Sequence, residues 1–183
     1  MEHINPDLGY RNLRVRRAEG NADAATMAAI LDAASEWTEK VAGQEGWDRP
    51  YSLDAARQHV AGGYVYLIEP AIWQPPTPRT IGTFALQWQD ERFWPGQQPD
   101  AGYVHRIALL PAVMGRGIGR AALEWIGRTV TAEGKKYIRL DCPKDNADLQ
   151  GYYQKLGFVY QGLAPEHAGS SYRGVLYQKE LRA

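Results

Sequence analysis

The chain has almost no cysteine: one residue, Cys142, in 183. Without a second thiol no internal disulfide can form, so the fold must be held by its core, as suits a reducing compartment such as the cytoplasm. It also lacks an excess of either charge, 21 basic residues being matched by 21 acidic ones. That balance gives no pull toward nucleic acid or an anionic membrane. No apolar run approaches the ~20 residues of a membrane span. The opening "MEHINPDLGYRN" has no basic-then-apolar leader pattern. These absences predict a soluble cytoplasmic protein with neither nucleic-acid nor membrane partners. Repeats and long low-complexity tracts are missing as well, and the length fits one domain over 1–183, with 1–12 as a loose tail.

What is present is an alternation of strand and helix signals. "LRVRRA" (13–18) alternates as a strand, after which Asp23 is placed to cap a helix. Met27, Ile30, Leu31, Ala34, Trp37 and Val41 keep helical spacing in it, up to Gly43, and this puts Trp37 in the core. Ser52 opens a shorter helix that Gly62 and Gly63 end. Strand-like runs follow at 64–70, 79–89 and 102–110, the first two as a hairpin. A helix is expected up to Gly134, a strand over 135–142, a helix closed by Gly157, and two last strands. Adjacent strands inside an alternating pattern predict an α/β fold with a mixed, mostly antiparallel sheet.

The segment "VMGRGIGRAALEWI" (113–126) crowds three glycines against a helix start, where glycine is costly. The first amides of a helix lack intrahelical partners and its dipole is positive there, so a diphosphate could lie against backbone that glycine leaves bare. Arg116 and Arg120 add charge beside the turn. A plain glycine-rich corner is the simpler alternative. Gly117, Gly119 and Ala122 also fit the G-x-G-x-x-A dinucleotide fingerprint, with Asp141 where a ribose-binding acid is expected. Against this, four residues separate the strand from Gly115, and little chain is left for a doubly wound sheet.

A second pattern lies downstream. "MGRGIG" (114–119) matches the Q/R-x-x-G-x-G/A signature except at Met114, and Asn146, Tyr153, Gly157 and Phe158 form an N…Y…GF pattern after one intervening strand. Together these segments resemble the GNAT superfamily of acetyl-CoA-dependent N-acetyltransferases, most closely over 102–162. The resemblance implies a GNAT-like mixed sheet flanked by about four helices. It implies direct transfer of an acetyl group from acetyl-CoA to a primary amine of a small molecule or peptide, without metal and with a homodimer possible. Ile107, Ala108 and Leu109 then pair with pantetheine, and Met114, Gly115, Arg116, Gly117, Ile118, Gly119 and Arg120 surround the diphosphate. Asn146 touches the coenzyme and also caps a helix. A non-catalytic module that binds acyl-CoA to sense it is the alternative reading, and Met114, which offers no side-chain hydrogen bond, leans that way.

Acetyl transfer needs a neutral amine and a proton for the departing thiolate. Tyr153 matches the family's general acid, protonated at neutral pH with a phenol's pKa near ~10. The plainer alternative is that Tyr152 and Tyr153 are both core aromatics beside Leu149 and Leu156, and one of the two belongs in the core. His105 alternates onto one strand face with Tyr103, Ile107 and Leu109. With an ordinary pKa of about 6.5 it is a candidate base for the amine, and a structural histidine is the plainer alternative. Cys142 reads as inert packing. For the acceptor, Glu36, Trp37, Glu39, Glu45, Trp47, Asp48, Trp94 and Asp100 offer acids and aromatics that could hold a cation.

Overall fold

The computed structural model describes residues 13–43, 49–73, 75–167 and 172–181. Its strands are β1 (Leu13–Arg17), β2 (Val65–Pro70), β3 (Gly82–Gln87), β4 (Ala101–Leu109), β5 (Tyr137–Pro143), β6 (Val159–Leu163) and β7 (Gly174–Glu180). Its α-helices are α1 (Gly20–Trp37), α2 (Leu53–Ala61), α3 (Ile118–Ala132) and α4 (Ala147–Lys155). The element order is the one the sequence patterns predict. Strands are hydrogen-bonded in the order β1-β2-β3-β4-β5-β7-β6. The pairs β1–β2, β2–β3, β5–β7 and β6–β7 are antiparallel and β4–β5 is parallel. This is the mixed, mostly antiparallel α/β class expected, and not a parallel, doubly wound sheet. By internal packing the chain divides into two compact units, Met1–Ala85 with Arg106–Leu123 and Leu86–His105 with Glu124–Ala183.

In the first unit the helices α1 and α2 bury Met27, Ile30, Leu31, Ala34, Ala56 and Val60 in one cluster with Val65 and Leu67 of β2. Burial of this kind is worth about 1.5–3 kcal/mol for each large apolar side chain. Ser52 caps α2 as expected, accepting the Ala55 N–H at 3.2 Å. Asp23 does not cap α1. The N-cap position is Glu19, and Asp23, in the first turn, reaches back to accept the Glu19 N–H at 2.8 Å while holding both terminal nitrogens of Arg16 at 2.6 and 2.9 Å. Arg16 also donates from Nε to the buried Glu69 at 2.8 Å, which gives that enclosed carboxylate a charged partner. At its far end α1 widens into a π turn over Thr38–Ala42. The expected buried Trp37 is not found: in the last turn of α1 it is 38% exposed, and Val41, whose spacing the π turn breaks, is 63% exposed.

In the second unit β7 pairs with β5 along its full length and with β6 on its other side. The parallel ladder between β4 and β5 runs from Ala101↔Tyr137 to Val104↔Leu140. Gly102 permits close packing there, since a Cβ would lie 2.5 Å from Val130. Beside it Arg139 is buried, its guanidinium against the rings of Trp94, Tyr103 and Tyr137 at 5.5, 5.6 and 5.5 Å. Arg139 donates to the Tyr103 hydroxyl and to Gln178, each at 2.8 Å, and lies 3.0 Å from Asp100.

Candidate active site

The glycine turn belongs to the first unit. Gly115 and Gly117 both take left-handed backbone, at φ 75° and 77°, which is nearly free for glycine and strained for other residues. Among the described residues, a Cβ at either position would meet nothing within 4 Å. The glycines therefore serve the backbone path and not tight packing, and they leave main chain bare on an exposed surface. Gly117 accepts the Ala121 N–H at 3.0 Å, so the turn delivers the chain directly into the first turn of α3. Arg116 and Arg120 are exposed beside it, and Ile118 is buried, so only backbone is offered at that position. Met114 packs against the α1–α2 core cluster, an apolar anchoring role that accounts for a thioether where a glutamine or arginine is usual.

Upstream of the turn, β4 carries its one irregularity at Arg106, a non-glycine residue with φ 51° whose Nε donates to the Tyr51 hydroxyl at 2.9 Å. A left-handed residue interrupts the pleat, so the shared face expected for His105, Ile107 and Leu109 is not set by one unbroken alternation. It does hold for Tyr103 and His105, which meet Arg139 and Asp141 respectively. Ala108 is buried, with Ile107 and Leu109 half-buried, and Gly82 of β3 lies close enough that a Cβ would meet the Ala108 carbonyl at 2.9 Å.

In the second unit α4 places Tyr153, and not Tyr152, among the core aromatics. Tyr153 is buried, in contact with the rings of Tyr152, Phe158 and Tyr177, while Tyr152 is 37% exposed. Burial, reinforced by neighbouring Cys142, Tyr152 and Asp141, holds the Tyr153 phenol well above its ordinary pKa and thus protonated. Asn146 caps α4, its Oδ1 accepting the Leu149 N–H at 2.9 Å. Cys142 is buried too, and burial with the nearby Asp141 pushes its thiol up to about 12. A protonated, enclosed thiol is a poor nucleophile.

His105 differs most from expectation. Its Nε2 lies 3.3 Å from Asp90 Oδ2 and its Nδ1 3.4 Å from Asp141 Oδ1, with all three side chains nearly enclosed. Burial disfavours the charged ring, but Asp141 and Asp90 outweigh it and push the pKa up to about 9. The ordinary value near 6.5 is therefore corrected: at neutral pH His105 is an imidazolium without a lone pair for a proton. Burial likewise works against the Asp90 carboxylate. His105 and the Phe93 and Arg92 N–H groups, which Oδ1 accepts at 3.0 and 3.1 Å, overcome it and leave the acid below its usual range. Tyr172 donates to Asp141 Oδ2 at 2.5 Å. The Phe93 ring meets His105, His167 and Tyr172, the last two edge-on.

Asp90 and Tyr172 had no signal in the sequence. Asp90 sits in an ordinary polar loop, and Tyr172 is one of eleven tyrosines; only the fold brings them to His105. The acceptor candidates are for the most part occupied. Trp94 and Asp100 attend Arg139, Glu36 pairs with Lys40 and Glu39 with Arg49. Glu45, Trp47 and Asp48 lie outside the described residues, as does the 1–12 tail.

Comparison with known proteins agrees with this architecture. The family model described as the acetyltransferase (GNAT) family matches residues 28–158. A Bacillus subtilis protein named as an uncharacterized N-acetyltransferase, YesJ, is 32% identical over 81 residues, which is 44% of this chain and 42% of that protein. A GNAT-family acetyltransferase structure from Listeria monocytogenes superposes with a TM-score of 0.70 at 23% identity, over 92% of this chain and 95% of its own. YncA from Salmonella typhimurium, solved with its cofactor acetyl-CoA, gives 0.60 at 20% identity, over 93% and 94%. Both structural likenesses bear on the fold.

Proposed function

The chain belongs to the GNAT acetyltransferase family, and we propose that it transfers the acetyl group of acetyl-CoA directly to a primary amine. The observation that carries this reading is the bare turn of Gly115 and Gly117 running into the start of α3. A positive helix end and open space where side chains would stand at Gly115 and Gly117 suit a diphosphate. Arg116 and Arg120 are assigned to its charge, and the β4 backbone over Ile107, Ala108 and Leu109 to the pantetheine arm. Asn146 is assigned a coenzyme contact in addition to its cap.

Each proton has an assigned handler. The amine nitrogen bonds to the thioester carbon, the C–S bond breaks, and Tyr153 donates its phenolic proton to the sulfur. A phenol kept neutral by burial suits that duty. His105 takes the proton the amine must lose, after its own has gone to solvent, so turnover climbs toward alkaline pH. Cys142 favours direct transfer over an acetyl-enzyme, because its thiol is buried and protonated.

Calorimetry with acetyl-CoA and coenzyme A release against simple amines test the reading together. Micromolar binding with turnover on at least one primary amine supports it. Absence of acetyl-CoA affinity in the folded protein removes it.

A further inference from the structure

Among the described residues Arg106, inside β4, is the one non-glycine residue with left-handed backbone. Such backbone is costly for a residue with a Cβ and persists where surrounding contacts fix it, typically at functional sites. Those contacts are present. Nε of Arg106 donates to the Tyr51 hydroxyl at 2.9 Å, and the Tyr51 N–H is accepted by Oδ1 of Asp32 on α1 at 2.7 Å. Tyr51 also packs against the α1–α2 core cluster. The guanidinium is thus aimed twice, by its own backbone and by an anchored phenol.

Its other end is left over. Among the described residues, Nη1 and Nη2 of the half-buried Arg106 make no hydrogen bond, and no acid forms an ion pair with them. The neighbouring His59 adds no charge of its own. Burial first, and the Arg106 cation second, push its pKa down to about 4, and its Nδ1 lies 2.7 Å from the Tyr64 hydroxyl. Glu36 and Glu39, acids expected to hold an acceptor, are already paired with Lys40 and Arg49. The uncompensated charge on this part of β4 is therefore positive, and it calls for an anion.

With Nε held by Tyr51, the two terminal nitrogens present parallel N–H groups, a fork that matches both oxygens of a carboxylate. In the assignment proposed for acetyl-CoA, the arm leaves its diphosphate at the glycine turn and runs back along Leu109, Ala108 and Ile107. Its acyl end then comes to Arg106, the next residue on the strand. We propose that the acceptor is an amino acid and that Arg106 binds its carboxylate, holding the amine toward the thioester. Tyr51 is the positioning residue that turns the guanidinium. Arg106 stays a cation throughout and exchanges no proton. This inference deepens the proposed function and rests on it for the course of the arm.

The test sets the common free amino acids against their amides, which keep the amine and lose the carboxylate. Coenzyme A release gives kcat/KM for each pair, and calorimetry on the protein loaded with coenzyme A reads acceptor binding without turnover. At least one amino acid should exceed its amide ~100-fold or more in kcat/KM and bind the loaded protein where its amide does not. Arg106→Asn, chosen because asparagine tolerates left-handed backbone, should erase that preference through KM more than kcat, with acetyl-CoA affinity unchanged. Arg106→Lys should recover only part of it, since an ammonium lacks the fork. Tyr51→Phe, which keeps the ring, should weaken the preference ~10-fold. Acids and amides used alike by the parent, with neither binding the loaded protein better, overturn the inference and leave acetyl transfer in place. So does an Arg106→Asn protein with an intact melting curve and the parental preference. Amino-acid binding that Arg106→Asn loses, without coenzyme A release from any pair, supports the carboxylate site and removes transfer from the proposed function. Neither binding nor release with any pair overturns both.

Discussion

Nε2 of His105 lies 3.3 Å from Oδ2 of Asp90, a buried contact between a cation and an anion that are far closer in space than the loop between them suggests. Its energy depends on pH. The His105 pKa is raised on folding from about 6.5 to about 9, so its stabilisation is complete below about 6.5 and disappears as pH rises through about 9. The term is on the order of a few kcal/mol. Melting temperature should thus fall between pH 6.5 and 9, and the fall should be shallower in His105→Asn. Equal slopes in thermal scans of the two proteins would deny the ion cluster any net value.

Tyr153→Phe should reduce kcat by ~10²-fold or more while changing acetyl-CoA affinity little, because it removes a proton donor and keeps the ring packing. Tyr152→Phe, on the exposed position, should change neither. Initial-rate kinetics beside calorimetry separate the two variants. Equal turnover in Tyr153→Phe and the parent would end its role as acid.

Gly119→Trp should abolish acetyl-CoA binding and leave the melting curve nearly intact, since the added ring would stand where the diphosphate is proposed to lie. Gly117→Ala places a Cβ on backbone at φ 77° and should cost about 1–2 kcal/mol of stability. Undiminished affinity of Gly119→Trp in calorimetry would contradict the assignment of this turn.

Arg139→Met should destabilise the second unit by on the order of 3 kcal/mol, read by denaturant unfolding. The substitution leaves Asp100 without its cation and strips the Tyr103 hydroxyl and Gln178 of a donor. Arg139→Lys should recover only part, because an ammonium does not spread over three rings and three polar partners as a guanidinium does. Parental stability in Arg139→Met would show the cluster to be energetically neutral.

Much of this molecule is local in origin. The Ser52 and Asn146 caps, the element order and the glycine turn into α3 depend on residues a few positions apart, whose geometry the chain fixes by itself, and all were legible in the sequence. The order of those elements and their two linked motifs were enough to give fold class and family. Asp23 was misread for a tertiary reason, being recruited by Arg16, and Val41 because α1 loosens into a π turn before its periodic stripe ends; Trp37, on the last regular turn, is simply left exposed.

Composition and short-range pattern thus determined which strands and helices form and where backbone is left bare, because sterics and capping act over a turn or two. Tertiary structure alone decided charge and enclosure: which of two adjacent tyrosines is buried, and that one histidine carries a proton at neutral pH. Those properties follow from dielectric surroundings and Coulomb forces, which act across space between groups the chain keeps far apart, as Asp90, Asp141 and Tyr172 do around His105.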